Sequence, residues 1–211
     1  LTGTQLGSYG FDLDGEDLEH LISLLLRDSG IERLRVSSLQ PQEITGELLE
    51  LWDDPRLCPH FHMPLQSGSD RILSRMRRRY TSAQYARAVD AIRARVRGVS
   101  ITGDVIVGFP GEEQEHFGES LSLAHELEFA SMHVFPYSVR PGTSAAHMGF
   151  PVEEVEKRAR MDQMLDLAQR QAAAFRQSSL GSIRPVLWER EQVWDGENVI
   201  LGLTDNYLKV F

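Results

Sequence analysis

Residues 60–70 read His60-Phe61-His62-Met63-Pro64-Leu65-Gln66-Ser67-Gly68-Ser69-Asp70. The apolar residues at the start of this stretch predict a short buried strand, and the glycine and serines that follow predict a turn. Ser69 is placed to cap the helix behind the turn. A strand that ends in a permissive turn at the head of a helix is how α/β proteins present polar groups and free N–H groups to a ligand.

Three further runs rich in Val, Ile, Phe and Leu predict strands on either side of this one. The four predicted strands are 34–39, 61–65, 99–107 and 131–137. Strand and helix alternate at roughly 30 residues per unit, which is typical of βαβ units and of a parallel sheet. Parallel strands joined by right-handed crossovers either close into a barrel or form an open, doubly wound sheet. Both arrangements place ligands at the carboxyl ends of the strands.

Helical patterns fill the gaps between the predicted strands. An apolar stripe over 18–26 predicts a helix that ends near Gly30, a capping box of Thr81 and Gln84 begins a second helix, and a third follows Gly111. Gly-rich or polar segments follow three of the predicted strands, at 67–69, 108–111 and 140–143.

A long, charged, Ala-rich helix is predicted over 152–179. The residues expected on its inner side are Val155, Met164, Leu165, Ala168, Ala172 and Phe175. Gly181 ends this helix. The remaining chain has two alternating runs around Asp195-Gly196, which predicts a β-hairpin and the beginning of a small β-domain.

The composition is that of a globular protein, and it restricts the classes of function. The 211 residues are 41% hydrophobic and 25% charged, without the run of roughly 20 apolar residues that spans a bilayer and without a secretory signal. Cys58 is the only cysteine, which excludes an internal disulfide, fits a reducing cytoplasm and cannot by itself hold a four-iron cluster. The chain begins with Leu1 inside a motif, so we expect the natural protein to extend upstream.

The net charge of −9, taken as a whole, argues against a nucleic-acid partner. The charge is unevenly spread, however, since residues 70–97 hold nine arginines against two acids. This segment is either a solvated helix face or a patch that meets phosphates. The sequence leaves both interpretations open.

Four segments of the chain carry a family resemblance. They are Leu1-Thr2-Gly3-Thr4-Gln5-Leu6-Gly7-Ser8-Tyr9-Gly10, the stretch 58–70, Asp104-Val105-Ile106-Val107-Gly108-Phe109-Pro110-Gly111-Glu112, and His133-Val134-Phe135-Pro136-Tyr137-Ser138-Val139-Arg140-Pro141-Gly142-Thr143. In order and spacing they resemble the methylthiotransferases of the radical S-adenosylmethionine (SAM) superfamily, which modify a tRNA base or a ribosomal protein. The tail at 202–210 resembles the MtaB branch, which acts on threonylcarbamoyl-adenosine beside the tRNA anticodon.

The resemblance implies a partial (β/α) radical SAM barrel of parallel strands at 1–150 that lacks its first, cluster-binding strand. A connecting helix at 151–180 and part of a TRAM domain, a small RNA-binding β-barrel, at 181–211 would follow. The implied cofactors are SAM and 4Fe-4S clusters, whose cysteine ligands are expected upstream because the family's Cys-x-x-x-Cys-x-x-Cys loop does not occur in this chain. This part of the protein alone is expected to be inactive.

The resemblance also implies partners and a cellular location. The implied partners are tRNA and an electron donor protein, and the implied location is the cytoplasm. We expect a monomer without membrane contact.

By the same resemblance, residues that follow the strand ends bind SAM. The expected cofactor-binding residues are Thr2, Gly3, Gln5, Gln66, Ser67, Ser69, Ile106, Gly108, Phe109, Phe135 and Tyr137. The group at 2–5 is placed near the methionine part, the group at 66–69 near the ribose hydroxyls and the carboxylate, and the group at 106–109 near the adenine. Plain strand-to-loop turns compete with these roles, and for Ser69 a helix cap does so most strongly.

Substrate binding is expected from charged and aromatic side chains. The residues are Arg77, Arg78, Arg140, Tyr207 and Lys209, since arginines bind phosphates or a carboxylate and a tyrosine ring stacks on a base. For Arg140 a plain surface charge competes with this role. The acids at 112 and 113 are interpreted as belonging to the first turn of a helix. No catalytic residue is assigned.

Cys58, His60 and His62 alternate along one strand and therefore face the same way. Three such positions give poor tetrahedral geometry, and no fourth ligand is evident. We favour packing inside the barrel over a metal site, and we expect no metal ligands in this chain.

Two other functions compete with methylthiolation of threonylcarbamoyl-adenosine. One is methylthiolation of a ribosomal protein aspartate or of isopentenyl-adenosine in tRNA. The other is a non-catalytic RNA-binding module with a degenerate barrel.

Overall fold

The computed structural model describes residues 1–3 and 5–211, so Thr4 of the amino-terminal segment lies outside the described residues. The helices of this part are α1 (Leu18–Asp28), α2 (Gly46–Glu50), α3 (Asp70–Arg75), α4 (Ser82–Arg95), α5 (Gln114–Leu127) and α6 (Glu154–Ser178). The strands are β1 (His60–His62), β2 (Ser100–Val107), β3 (Ser131–Pro136), β4 (Val186–Trp194), β5 (Glu197–Thr204) and β6 (Lys209–Val210). Over the same residues, no helix has both the length and the hydropathy that a bilayer crossing requires.

The first sheet has the strand order β1-β2-β3, and all its strands are parallel. β1 pairs with the first part of β2, and β3 pairs with the remainder. Because side chains alternate between the faces of a strand, β2 has two different faces. Ile101 and Val105 are buried in the core with apolar residues of α4, α5 and α6, whereas Thr102 and Asp104 lie on the opposite, polar face.

β1 is shorter than the predicted strand 61–65 because of Pro64. Met63 donates its backbone N–H to a carbonyl of β2 at 2.7 Å, but Pro64 has no N–H with which to continue the ladder. Pairing with β2 resumes at Gln66, whose N–H donates at 2.7 Å. The segment therefore still follows β2 towards its carboxyl end.

The prediction of a regular strand at 34–39 is wrong. The segment forms two isolated parallel bridges, at Leu34 and Ser38. Between them the N–H of Ser37 donates to the carbonyl of Leu1 (3.1 Å), so no continuous ladder develops. The apolar side chains of the segment are nevertheless buried in the core, which explains its strand-like pattern.

Other local predictions are confirmed. β2 and β3 match the predicted strands 99–107 and 131–137 to within one residue. α4 begins with the predicted capping box, in which the Thr81 hydroxyl accepts the N–H of Gln84 (3.2 Å) and the Gln84 side chain accepts the N–H of Thr81 (2.8 Å). β4 and β5 form the predicted antiparallel hairpin around Asp195-Gly196.

α6 lies where the helix 152–179 is predicted, but its buried face differs from the prediction. Met164 is buried as expected, whereas Val155 is 84% exposed and Leu165 is 37% exposed. Arg160, which hydropathy alone places in solvent, is 2% exposed. It is buried because it pairs with a carboxylate of the loop between β2 and α5.

A second, antiparallel sheet of β4, β5 and β6 follows α6. Polar contacts tie its last turn to the parallel sheet. Arg33 donates to the carbonyls of Leu203 (3.1 Å) and Thr204 (2.6 Å), and the side-chain amide of Asn206 donates to the carbonyl of Gly98 (3.1 Å), just before β2. The tail therefore packs where the parallel strands begin, opposite to their carboxyl ends.

The turn at Gly68 packs directly on α5, where a Cβ would lie 2.6 Å from the Cα of Ser120. We expect Gly68→Ala to lower the free energy of unfolding by about 2 kcal/mol, a typical cost of overpacking. Gly118→Ala is the matched control, because nothing lies within 4 Å of a Cβ there and alanine favours a helix. Chemical denaturation measures both variants, and equal stabilities would contradict this account of the turn.

Candidate functional site

The loops that leave the parallel strands enclose one large cavity. Its volume is about 690 Å³, and it lies at the carboxyl ends of β2 and β3, beside the turn that follows β1. Eight of the predicted site residues line it, namely Gln66, Arg77, Arg78, Ile106, Phe109, Phe135, Tyr137 and Arg140. The structure thus brings together residues that are far apart in the sequence.

Gln66 has an unusual backbone conformation at the cavity wall. Its φ of +64° lies in the left-handed region, and the residue is buried. This conformation is held from both sides, because its N–H donates to the carbonyl of Asp104 (2.7 Å) and its carbonyl accepts the N–H of Ile106 (2.9 Å). Residues other than glycine adopt it mainly where the surroundings enforce it, and such residues concentrate at functional sites.

Aromatic and aliphatic side chains form one wall of the cavity. Phe109 is buried and packs edge-to-face on Tyr137, with ring centroids 5.2 Å apart. Ile106 and the half-exposed Phe135 complete this wall. The Tyr137 hydroxyl is buried and has no hydrogen-bond partner among residues 1–3 and 5–211. An apolar surface with one free hydroxyl suits a planar group with polar edges, such as a purine.

Asp104 supplies a carboxylate to the cavity, although its sequence context predicts no role for it. Its two carboxylate oxygens lie 3.2 Å from His62 Nε2 and 3.2 Å from His133 Nδ1. Burial acts to raise the pKa of Asp104, but hydrogen bonds and charge from the two histidines outweigh it, and the pKa lies below its ordinary value. Thr102, Asp104 and Ile106 alternate along β2 and so share one face, and this pattern could have placed Asp104 beside the predicted site residue Ile106.

Four arginines, Arg75, Arg77, Arg78 and Arg140, line the same cavity. Within the part of the chain that the structure describes, none of them pairs with a carboxylate. Arg75 donates its Nε hydrogen to the carbonyl of Pro110 (3.0 Å), and the Nε of Arg78 is buried without a partner there. With one carboxylate facing four cations, the cavity favours an anionic group.

Six of the predicted cofactor residues do not line the cavity, namely Thr2, Gly3, Gln5, Ser67, Ser69 and Gly108. Thr2, Gly3 and Gln5 are exposed at the amino terminus and do not line the cavity. Gly108 belongs to the loop after β2, next to the wall residue Phe109, and does not itself line the cavity.

Ser67 and Ser69 are buried parts of the turn after β1. The Ser67 hydroxyl lies 3.0 Å from the hydroxyl of Ser120 on α5 and accepts the N–H of Ser69 (3.2 Å). α3 begins at Asp70 as predicted, but the side chain of Ser69 makes no capping hydrogen bond. Ser69 occupies the predicted N-cap position, but the predicted capping hydrogen bond is not formed, and its hydroxyl is buried without a partner among the described residues.

Tyr207 and Lys209 lie at the opposite end of the parallel strands, beside a second cavity of about 590 Å³. The Tyr207 ring stacks on His60 with centroids 4.5 Å apart, and the Arg35 guanidinium lies 4.5 Å from the ring centroid. The ring therefore packs the tail against the parallel sheet. The structure does not bring these two residues together with the arginines of the first cavity.

The histidines of β1 belong to a polar network on the same face of the sheet as Thr102 and Asp104. His60 Nε2 and His62 Nδ1 lie 3.0 Å and 2.9 Å from the Thr102 hydroxyl. Burial, with smaller contributions from Arg35 and His62, lowers the pKa of His60 to about 3, so His60 is neutral. Cys58 is buried. Across residues 1–3 and 5–211, no three His, Cys, Asp or Glu side chains are grouped to hold a metal ion.

Residues 6–124 match the family model of the Radical SAM superfamily. The chain is 38% identical over 213 residues to the threonylcarbamoyladenosine tRNA methylthiotransferase MtaB of Bacillus subtilis, a match that covers 100% of the chain and 47% of that protein. It is 40% identical over 191 residues to the tRNA-2-methylthio-N(6)-dimethylallyladenosine synthase of Geobacter sulfurreducens, covering 90% of the chain and 43% of that protein. The chain spans about half the length of these curated relatives.

Among solved structures, the fold is similar to that of coproporphyrinogen III oxidase (HemN) from Escherichia coli, a radical SAM enzyme. The TM-score is 0.52 and the sequence identity is 19%, over 77% of this chain and 37% of that one. At this identity the likeness concerns the fold alone.

The Asp104 network predicts a pH-dependent stability. We expect Asp104→Asn to lower the free energy of unfolding by about 1 kcal/mol at pH 7, because hydrogen bonds to a charged carboxylate are lost. Since the folded-state pKa lies below the ordinary 3.8, this contribution is present above pH 3.8 and disappears as the pH falls through the folded-state pKa. Denaturant titrations at pH 7 and well below pH 3.8 measure it, with the exposed Asp90→Asn as the control. A loss of equal size at both pH values would contradict the prediction.

Proposed function

The chain belongs to the radical SAM superfamily, and on that basis we propose that it forms the central part of a tRNA methylthiotransferase. The proposed reaction transfers a methylthio group to N6-threonylcarbamoyladenosine next to the tRNA anticodon. One observation carries this proposal. The segments that follow β1, β2 and β3 converge on one cavity with an apolar wall and an excess of arginines.

The residues of this cavity fit SAM. A volume of about 690 Å³ lies in the range of cofactor sites. We assign the adenine to the wall of Ile106 and Phe109, the ammonium group to Asp104, and further polar groups to Gln66 and the free hydroxyl of Tyr137. When bound, SAM supplies the methyl group and the radical chemistry that methylthiolation needs. The residues of the chain bind it, orient it and exclude water from it.

The chain does not supply the ligands of an iron–sulfur cluster. Such a cluster is held by several cysteine thiolates, and the chain has one cysteine, Cys58, which is buried. We propose that the ligands come from a part of the protein outside this chain, and that the chain alone is inactive. A separate electron donor protein would reduce the cluster.

The arginines favour a substrate that carries a carboxylate. Threonylcarbamoyl-adenosine ends in the carboxylate of its threonine, whereas the dimethylallyl group of the alternative substrate is apolar. Arg140 has no carboxylate partner in the described part of the chain, so a substrate carboxylate would provide one. A site built around such cations discriminates strongly against a substrate that leaves them unpaired.

The remaining chain is proposed to contact the rest of the tRNA. We interpret residues 181–211 as part of a TRAM domain and 151–180 as the helix that connects it to a radical SAM barrel at 1–150. The two tail residues predicted to contact tRNA are both accessible. Lys209 is exposed, and Tyr207 is 47% exposed despite its stacking on His60. We further propose a monomer that acts in the cytoplasm, where tRNA is modified.

The proposal is tested by mass spectrometry of tRNA nucleosides from a strain that lacks the complete gene. We expect the methylthio derivative of threonylcarbamoyl-adenosine to disappear and to return when the gene is restored. Loss of the methylthio derivative of dimethylallyl-adenosine instead would make the assigned substrate wrong. Unchanged methylthio nucleosides would make the proposed reaction wrong.

Arg140 provides the test of carboxylate recognition. We expect Arg140→Gln to lower kcat/KM for tRNA by about 10- to 100-fold, because a hydrogen-bonded charge pair is worth roughly 1.5–3 kcal/mol. The kinetics are measured with the complete enzyme and tRNA that carries threonylcarbamoyl-adenosine. Arg87→Gln on the exposed face of α4 is the control and should retain wild-type kinetics. Equal kinetics of the two variants would remove Arg140 from substrate binding.

Arg77 and Arg78 are expected to bind tRNA phosphates. The double substitution Arg77→Glu and Arg78→Glu should weaken tRNA binding and reduce the slope of log K against log salt by about 1 to 2, since each phosphate contact contributes roughly 0.7 to 0.9 to the slope. Filter binding over a salt series measures both quantities. Arg87→Glu with Arg97→Glu changes the net charge equally at exposed positions of the same segment. If this control pair has the same effect, the two cavity arginines are not specific phosphate contacts.

A further inference from the structure

The loop that follows β2, residues 108–112, is held by α6, which lies far from it in the sequence. Glu112 of the loop and Arg160 of α6 form an ion pair of 2.8 Å, and each of the two side chains is 2% exposed. The guanidinium also donates to the backbone carbonyl of Glu112 (2.9 Å) and pairs with Glu156 of α6. Because neither charge is stable when buried alone, the pair fixes the loop to the helix. The interpretation of Glu112 as an acid of a helix first turn is wrong, since α5 begins at Gln114.

Glu112 also binds the backbone of its own loop. Its carboxylate Oε2 accepts the N–H of Gly108 (3.1 Å), and the backbone N–H of Glu112 donates to the carbonyl of Phe109 (2.9 Å). Gly108 has a φ of +74°, and a Cβ there would lie 2.6 Å from the side chain of Lys157 on α6. Lys157 lies one turn before Arg160, so α6 also approaches this loop closely at Gly108.

Phe109 connects this loop to the cavity. It is the loop residue that lines the apolar wall, and its neighbours Gly108 and Glu112 are the positions that α6 fixes. Arg160 itself does not line the cavity. An effect of Arg160 on a ligand there would therefore be indirect, and Glu112 with the loop backbone provides a path for it.

We propose that Arg160 and Glu112 are positioning residues for SAM, which hold the 108–112 loop in the conformation that presents Phe109 to the cofactor. This inference rests on the proposed assignment of the cavity to SAM. It gives α6, which the sequence predicts only as a connecting helix, an indirect part in the affinity for the cofactor.

The chain offers a matched control on the same helix. Arg170 pairs with Asp166 at the i,i+4 spacing that also relates Arg160 to Glu156. The side chains of Arg170 and Asp166 are 64% and 60% exposed, and such pairs contribute little to stability. Arg170→Met therefore removes the same type of side chain from α6 without contact with the loop.

The test uses the complete protein with its iron–sulfur clusters reconstituted and S-adenosylhomocysteine as the probe. Calorimetry gives the Kd of this probe, and steady-state kinetics give KM for SAM and for tRNA. We expect Arg160→Met to raise the Kd and the KM for SAM at least 10-fold while KM for tRNA changes less than twofold. Arg160→Lys should recover part of the affinity because it keeps a charge near Glu112, and Arg170→Met should match the wild type.

Glu112→Gln keeps the volume of the side chain and an acceptor for the Gly108 N–H. This variant replaces Arg160→Met in the test if circular dichroism shows that Arg160→Met is unfolded. We expect this variant to weaken probe binding by a smaller factor than Arg160→Met. A Kd within twofold of the wild type in a folded variant of either residue would overturn the inference, as would a parallel loss of SAM and tRNA affinity. Failure of the wild-type protein to bind the probe would instead overturn the assignment of the cavity to SAM.

Discussion

Parallel pairing of β2 with both of its neighbours is the interaction on which the site depends. It aligns the carboxyl ends of three chain segments at one edge of the sheet. The turn after β1 reaches this edge because pairing resumes at Gln66 beyond the interruption at Pro64. That resumed contact places Gln66 at the cavity wall, opposite the end of β2.

The local chemistry of the chain made much of the fold predictable from sequence. Capping residues, turn residues and apolar runs identified α4, β2, β3 and the β4–β5 hairpin, because those signals act over a few residues. The errors concern long-range partners. The segment 34–39 is apolar enough for a strand, but its backbone bonds are divided between neighbours, and Arg160 is buried only because Glu112 lies opposite it. A sequence pattern contains no information about such partners.

The candidate site was predictable to a similar extent. The resemblance assigned Gln66, Ile106, Phe109 and Tyr137 to the cofactor, and the parallel topology brings all four to one edge of the sheet. The residues at 2–5 were assigned by resemblance and do not reach the cavity described here. Asp104 went without a role because its partners lie on the two neighbouring strands, far from it in the sequence. Its hydrogen bonds to two histidines become evident only when β1 and β3 are placed on either side of it.

The arginines of the segment 70–97 have two kinds of surroundings, the cavity and the protein surface. Arg77 and Arg78 line the cavity, which fits a role in binding anions. Arg93 instead donates to the carbonyl of Leu127 at the end of α5, and Arg95 pairs with an acid at the surface. The segment is therefore not a single patch, and the net charge of −9 does not describe the surroundings of the cavity.

The contacts of Arg33 and Arg35 with the tail join residues about 170 positions apart in the sequence. Closing so long a loop costs more chain entropy than forming a hairpin, so we expect the tail to dock late during folding, after the β4–β5 hairpin has formed locally.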